Sequence, residues 1–141
     1  MKDRVLFVCV HNSARSQMAE AYLRSLGGET FEVESAGFEP KEINPYVVEV
    51  MKEEGIDLTN KKSQNVFDLY KAGRAYKYVI TVCKRGKESD CPIFPGVAFR
   101  LHWDLENPED YTDAHEEIVT RVRLLRDKIK ALVQKFMEEA G

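Results

Sequence analysis

The chain has 141 residues, 43% of them hydrophobic and 32% charged, with a formal net charge of -3. That length and apolar content suit one domain over residues 1–141 with its own core, and exclude a disordered chain. The acidic balance offers no overall basic field to the phosphates of a nucleic acid, and no apolar run approaches the ~18 residues of a membrane span, so neither partner is expected.

The first apolar run, Val5-Leu6-Phe7-Val8-Cys9, is too short for the apolar core of a secretion signal, and a monomer in the cytoplasm is the expectation. The run itself reads as a strand buried on both faces at the centre of a parallel sheet. From Ser13 onward, Met18, Ala19, Tyr22, Leu23 and Leu26 recur at helical spacing up to the stop at Gly27-Gly28. Thr30 to Ala36 alternates Phe31, Val33 and Ser35 against Glu32 and Glu34, the pattern of an edge strand. Pro45 opens a second helix with the stripe Val47, Val48, Val50, Met51, and Val66 to Ala72 forms a short third one. Tyr78 to Cys83 is a second strongly apolar strand, Val97 to His102 a further one, and Ile118 to Phe136 an amphipathic closing helix.

Strands alternating with helices predict an α/β fold: a parallel sheet, helices on both faces and right-handed crossovers. Ligands of such sheets bind at the carboxyl ends of the strands, where Cys9, Cys83 and His102 would converge. Three cysteines are an odd set for a reducing compartment, which leaves catalysis, redox chemistry, metal binding or simple burial. Zinc is not expected, because Cys9, Cys83 and Cys91 contain no C-x2-C unit.

The segment Cys9-Val10-His11-Asn12-Ser13-Ala14-Arg15-Ser16 joins the first strand to the first helix. Backbone N-H groups curled toward one point in front of a helix N-terminus form an anion nest, and a guanidinium adds a planar two-pronged clamp. Such surroundings favour the thiolate of Cys9 as a nucleophile, Ser16 can donate a hydrogen bond to it, and Asn12 can brace the loop. The competing reading makes Cys9 a small buried hydrophobe and Arg15 a solvated first-turn residue. A buried thiol explains neither the polar loop nor an arginine set against the helix dipole.

Residues Cys9 to Glu20, together with Ser35-Ala36-Gly37, Cys91-Pro92-Ile93-Phe94-Pro95-Gly96 and His102-Trp103, resemble the motifs of thioredoxin-coupled arsenate reductases. Their fold is shared with low-molecular-weight protein tyrosine phosphatases. The resemblance implies a doubly wound three-layer fold with a four-stranded parallel sheet in the order 2-1-3-4. It also implies a cysteine relay: Cys9 attacks arsenate, Cys83 resolves the adduct, and Cys91 carries the disulfide to thioredoxin. No metal or tightly bound cofactor is implied, and arsenate, phosphate or sulfate is the expected ligand. A cysteine ending an apolar strand is as readily a core residue as a redox one, so Cys83 stays open on its own residues.

The chain departs from that pattern in places. Both related families usually carry Asp before the proline that follows His-Trp, where this chain has Asn107. Asn cannot exchange a proton as an acid or base, a loss that costs roughly 10² to 10⁴-fold where the step needs one. Asp104, Glu106 or Asp110 are candidate substitutes, each equally readable as a solvated loop carboxylate. The phosphatases' tyrosines after that proline are replaced by Glu109 and Asp110, and Gln64 stands where some members have a cation-binding acid. Residues 84–90 separate Cys83 from Cys91, one more than is usual. His11 is expected to contribute its backbone N-H, His115 to lie on a helix surface, His102 to satisfy a strand end and Trp103 to pack. Three readings follow: an arsenate reductase, a phosphatase acting through a Cys9 phosphoenzyme, or an oxyanion-binding or redox-sensing module with weak turnover.

Overall fold

The strand β1 (Asp3–Cys9) is buried from Val5 to Cys9 and divides the interior in two. Val5, Phe7 and Cys9 face one apolar cluster, while Leu6 and Val8 face a smaller one with Val66, Leu69, Tyr76 and Val79. The alternation follows from the two-residue period of a strand, and a strand buried on both faces must be apolar at every position.

The computed structural model describes residues 2–83 and 96–140. After β1 come α1 (Arg15–Gly27), β2 (Phe31–Gly37), α2 (Pro45–Lys52), α3 (Val66–Lys71), β3 (Tyr78–Thr81), β4 (Phe99–His102), a 3-10 turn at Pro108–Asp110 and α4 (His115–Ala140). The strands pair in parallel in the order β2-β1-β3-β4, the doubly wound arrangement expected. Helices α1, α2 and α4 bury their apolar residues in the larger cluster and α3 buries Val66 and Leu69 in the smaller.

Capping explains several boundaries. Asn44 and Asn65 accept hydrogen bonds from the second helical N-H of α2 and α3, with Pro45 pre-set in the first turn of α2. α4 is fastened to α2 by Arg126, which donates to the Val50 carbonyl and to Glu53, each at 2.8 Å. Other boundaries differ from the sequence pattern: α1 starts at Arg15 instead of Ser13, β3 stops at Thr81, and β4 starts at Phe99 with Val97 exposed. α1 starts late because Ser13 and Ala14 keep a non-helical path, with Ala14 at φ -142 and ψ -84.

The register fixes what meets at the carboxyl edge of the sheet. Cys9 lies level with Gly37, Val8 with Thr81, and Thr81 with His102. Cys83 follows β3 by two residues and so belongs to the same edge as Cys9. Cys91 lies outside the described residues.

Three tyrosines are held in the neutral form. Burial first, then a carboxylate neighbour, pushes the phenols of Tyr22 (Glu54) and Tyr76 (Glu34) upward, and that of Tyr111 (Glu106) up to about 12. Because the folded values are raised, their contribution to stability is complete below the ordinary value of 10.0 and disappears as pH rises through the folded values. Unfolding free energy measured in urea should therefore fall from pH 10 to pH 12, with part of the phenolate absorbance of the six tyrosines appearing only on unfolding. Titration of all six phenols near pH 10 in the folded protein would contradict this.

Candidate active site

The loop between β1 and α1 has its carbonyls on the outside. Cys9 O accepts from Phe38 N (3.3 Å), Val10 O from Glu39 N (2.7 Å), His11 O from Lys41 N (3.0 Å) and Ser13 O from Asn44 N (2.8 Å). Asn12 O accepts from the Gln17 side chain at 3.1 Å, and Ala14 O from Met18 N at 2.9 Å. No peptide among the described residues is cis, so each N-H points opposite to the carbonyl of its own peptide plane. The amides from Val10 to Arg15 are thereby turned to the inner side. The Asn12 N-H marks that side, standing 3.0 Å from Cys9 Sγ. α1 has no side-chain cap to occupy its first N-H groups, which leaves its positive end to the same concavity.

Gly37 permits this packing. A Cβ there would come within 2.8 Å of Asn12 N and of the His11 carbonyl carbon, and within 2.9 Å of Val10 O. Backbone does not yield at such distances, so glycine is required where β2 passes behind the loop.

Asn12, fully buried with φ 52, is the centre of a hydrogen-bond network whose directions can be assigned. Its Oδ1 accepts from the Gln64 backbone N-H at 2.9 Å, which settles the orientation of the amide. Gln17 Nε2 also donates to Oδ1, at 2.9 Å. Asn12 Nδ2 then donates to Ser16 Oγ (2.7 Å) and to Ser35 Oγ (2.9 Å). Ser35 passes its hydrogen to Glu20 Oε1 at 2.7 Å. Ser16 Oγ and Cys9 Sγ share a hydrogen bond at 2.9 Å. The sulfur also accepts from the Asn12 N-H at 3.0 Å, and a thiolate there would accept from both groups. Glu20, 1% exposed, also receives Lys61 Nζ at 2.6 Å and Arg24 Nη1 at 3.2 Å, so its buried charge is compensated.

Arg15 is buried, and its Nη1 donates to the Leu105 carbonyl at 3.2 Å, which ties the loop to the segment after β4. In that segment Asn107 Oδ1 accepts from Glu109 N at 3.1 Å as the cap of the 3-10 turn. Glu106 accepts from Tyr111 Oη at 3.1 Å, and Asp104 is exposed. The carboxylate brought to the loop is that of Glu109, 3.6 Å from His11 Nε2, while His11 Nδ1 faces Glu39 O at 3.0 Å. His102 Nδ1 pairs with Thr81 Oγ1 at 2.7 Å, Trp103 packs on Phe7 with ring centroids 5.4 Å apart, and His115 is exposed on α4. Cys83 is buried and disulfide-bonded, whereas Cys9 is a free thiol. Among the described residues no cluster of His, Cys, Asp or Glu could hold a metal ion.

Sequence reasoning named the loop but missed Glu20, Gln17 and Glu109, and gave Ser35 and Gln64 no structural part. A signal existed for Glu20: it stands four residues after Ser16, on the same helical face, among the buried Met18, Ala19, Tyr22 and Leu23. The donors from 38–44 are backbone groups and leave no such signature.

A free thiol, inward amides and a buried guanidinium on one strand-to-helix loop are the groups that suit an oxyanion. The chain belongs to the low molecular weight phosphotyrosine protein phosphatase family, whose model matches residues 4–140. It is similar to an arsenate reductase of Oceanobacillus iheyensis, 36% identical over 137 residues, which cover 96% of this chain and 95% of that one. An arsenate reductase of Staphylococcus aureus is 35% identical over 136 residues, covering 96% of each. Among solved structures, an arsenate reductase in the phosphate binding state superimposes with a TM-score of 0.76 at 29% identity over the whole of both chains. The thioredoxin-dependent arsenate reductase of Corynebacterium glutamicum gives 0.62 at 34% identity, covering 94% of this chain and 62% of that one.

Two substitutions separate the network from the strained backbone. Asn12→Gly accepts a positive φ freely but leaves the half-buried Gln64 N-H and the buried Ser16 and Ser35 hydroxyls without their Asn12 partner. Both Asn12→Gly and Asn12→Ala should lose about 2–4 kcal/mol of stability in urea. A glycine variant as stable as the unmodified protein would show that the hydrogen bonds contribute little.

Proposed function

We propose that the protein reduces arsenate to arsenite through a relay of Cys9, Cys83 and Cys91, regenerated by thioredoxin. The observation that carries the reading is Cys9 Sγ, hydrogen-bonded to Ser16 Oγ and accepting from the Asn12 N-H at the start of a loop with inward amides, in a chain similar over nearly its whole length to arsenate reductases.

The Cys9 thiolate attacks arsenic(V), a sulfur-arsenic bond forms, and one arsenate oxygen leaves as water after protonation. The Val10 to Arg15 amides and the Arg15 guanidinium hold the remaining oxygens. The Cys83 thiolate next attacks the Cys9 sulfur. The sulfur-arsenic electron pair stays with arsenic, which departs as arsenite, and a Cys9–Cys83 disulfide remains. The Cys91 thiolate attacks the Cys83 sulfur and frees Cys9 as thiolate, and the dithiol of thioredoxin reduces the resulting disulfide. The enzyme acts as a cytoplasmic monomer of one domain, without a tightly bound cofactor. Among the described residues no helix is long and apolar enough to cross a membrane.

Hydrolysis of phosphomonoesters through a Cys9 phosphoenzyme is the second reading, favoured by the family to which the chain belongs. Asn107 weighs against it, because its carbonyl oxygen is engaged by Glu109 N and an amide protonates no leaving oxygen. Neither Asp104 nor Glu106 is assigned a step.

With thioredoxin, its reductase and NADPH, oxidation of NADPH should depend on arsenate. Cys83→Ser should abolish turnover while leaving a single release of water from arsenate at Cys9. Hydrolysis of 4-nitrophenyl phosphate that persists in Cys83→Ser, with no arsenate-dependent NADPH oxidation in the unmodified protein, would establish the phosphatase instead. Binding of phosphate without turnover in either assay would leave an oxyanion-binding module.

A further inference from the structure

Arg15 donates from Nη1 to the Leu105 carbonyl at 3.2 Å, so one acceptor for the buried guanidinium lies in the Leu105–Glu106 peptide. The two side chains that flank this peptide are held differently. Leu105 is fully buried in the larger apolar cluster, which sets where the peptide sits. The Glu106 side chain is 60% exposed and is not fixed by packing; its Oε2 accepts from Tyr111 Oη at 3.1 Å. That bond ties the entrance of segment 106–111 to its exit, around a turn closed by Asp110 N to Asn107 O (3.0 Å) and Tyr111 N to Pro108 O (3.1 Å). Tyr111 is anchored in turn. It is buried in the same cluster as Leu105, and Arg121 of α4 places its Cζ 3.9 Å from the ring centroid. Asp113 holds Arg121 Nη1 at 2.8 Å, and Arg121 Nη2 stands 3.8 Å from Glu106 Oε2.

We propose that Tyr111, braced by Arg121, is a positioning residue for Arg15 that acts through Glu106 and the Leu105 carbonyl. Arg15 has its part here as the oxyanion clamp of the proposed function, on which this rests. A carbonyl offers its lone pairs near the plane of its own peptide, so rotation of the Leu105–Glu106 peptide turns the acceptor away from Nη1. Glu106 belongs to that peptide, and a carboxylate held at Tyr111 resists the rotation. A guanidinium carries its hydrogens in one plane, so an acceptor fixed at Nη1 also sets the direction of the remaining donors. The oxyanion then meets a clamp already aimed, and less rotational freedom is lost on binding.

Tyr111→Phe keeps the ring and its contact with Arg121 and removes the bond to Glu106. Rotation of the Arg15 guanidinium about its Nε–Cζ bond, measured by NMR in ligand-free protein, requires the Nη1 bond to break. It should become about fivefold faster in Tyr111→Phe, the change expected for one hydrogen bond of ordinary net strength. The dissociation constant for inorganic phosphate should rise by about the same factor, and Tyr111→Phe should add nothing in protein that already carries Arg15→Ala. Glu106→Ala should bind phosphate about fivefold more weakly than Glu106→Gln, which loses the same charge but keeps an oxygen to accept from Tyr111. Unchanged rotation in both Tyr111→Phe and Glu106→Ala, or an equal loss of phosphate affinity with and without Arg15, overturns the proposal. Unmodified protein that binds no phosphate, while Arg15 rotation responds to Tyr111→Phe as stated, contradicts the oxyanion function and supports the positioning of Arg15.

Discussion

A loop peptide can turn its N-H inward only if its carbonyl finds a donor on the outside. The segment 38–44 supplies four of these donors through Phe38, Glu39, Lys41 and Asn44, with the Gln17 side chain serving Asn12 O and the Met18 N-H serving Ala14 O. The arrangement satisfies the acceptors of a nearly buried loop and orients a row of partial positive charges toward one sulfur. Without that outer layer the inward amides would have no reason to keep their direction, and the helix N-terminus alone would be a weaker anion site. The setting of Cys9 therefore depends on a stretch that contributes backbone groups to it.

The inner layer is held by Asn12. A non-glycine residue in the left-handed region costs on the order of 1 kcal/mol, with asparagine among those that tolerate it best. Here the side chain uses both amide hydrogens and both carbonyl lone pairs on buried or half-buried partners, and each net bond contributes about 0.5–1.5 kcal/mol. The same bonds transmit orientation, because the Gln64 N-H fixes the Asn12 amide, whose Nδ2 then donates to the Ser16 hydroxyl that is bonded to Cys9. Glu20 anchors the other branch, accepting from Ser35 with its charge balanced by Lys61 and Arg24. Structural polar groups and the Cys9 sulfur form one connected set, and the loop that looks like a catalytic motif is also a folding unit.

The sheet and its order were legible because apolar periodicity is strong in β1, β3 and α4, and because the motif residues resemble a known family. The strand ends were less so. Thr81 closes β3 although Val82 and Cys83 continue the apolar run, since Val82 donates to Val8 O and the chain then leaves the ladder. Within the site, Cys9, Asn12, Arg15 and Ser16 could be named from residue type and spacing. Gly37 could be quoted but not explained, for its reason is a backbone contact across strands. Glu109 escaped notice because a carboxylate two residues after Asn107 looks like solvated loop, and only the turn at Pro108–Asp110 carries it to His11.

In the proposed function the Val10 to Arg15 amides and the Arg15 guanidinium surround one oxyanion beside Cys9. Titration of nitrogen-15-labelled protein with phosphate, followed through its backbone amide resonances, shows whether they do. Saturable downfield shifts grouped at residues 10 to 15, lost when Arg15 is replaced by Ala, are expected. Amides that stay in place, or shifts scattered over surface lysines in proportion to salt, would contradict it.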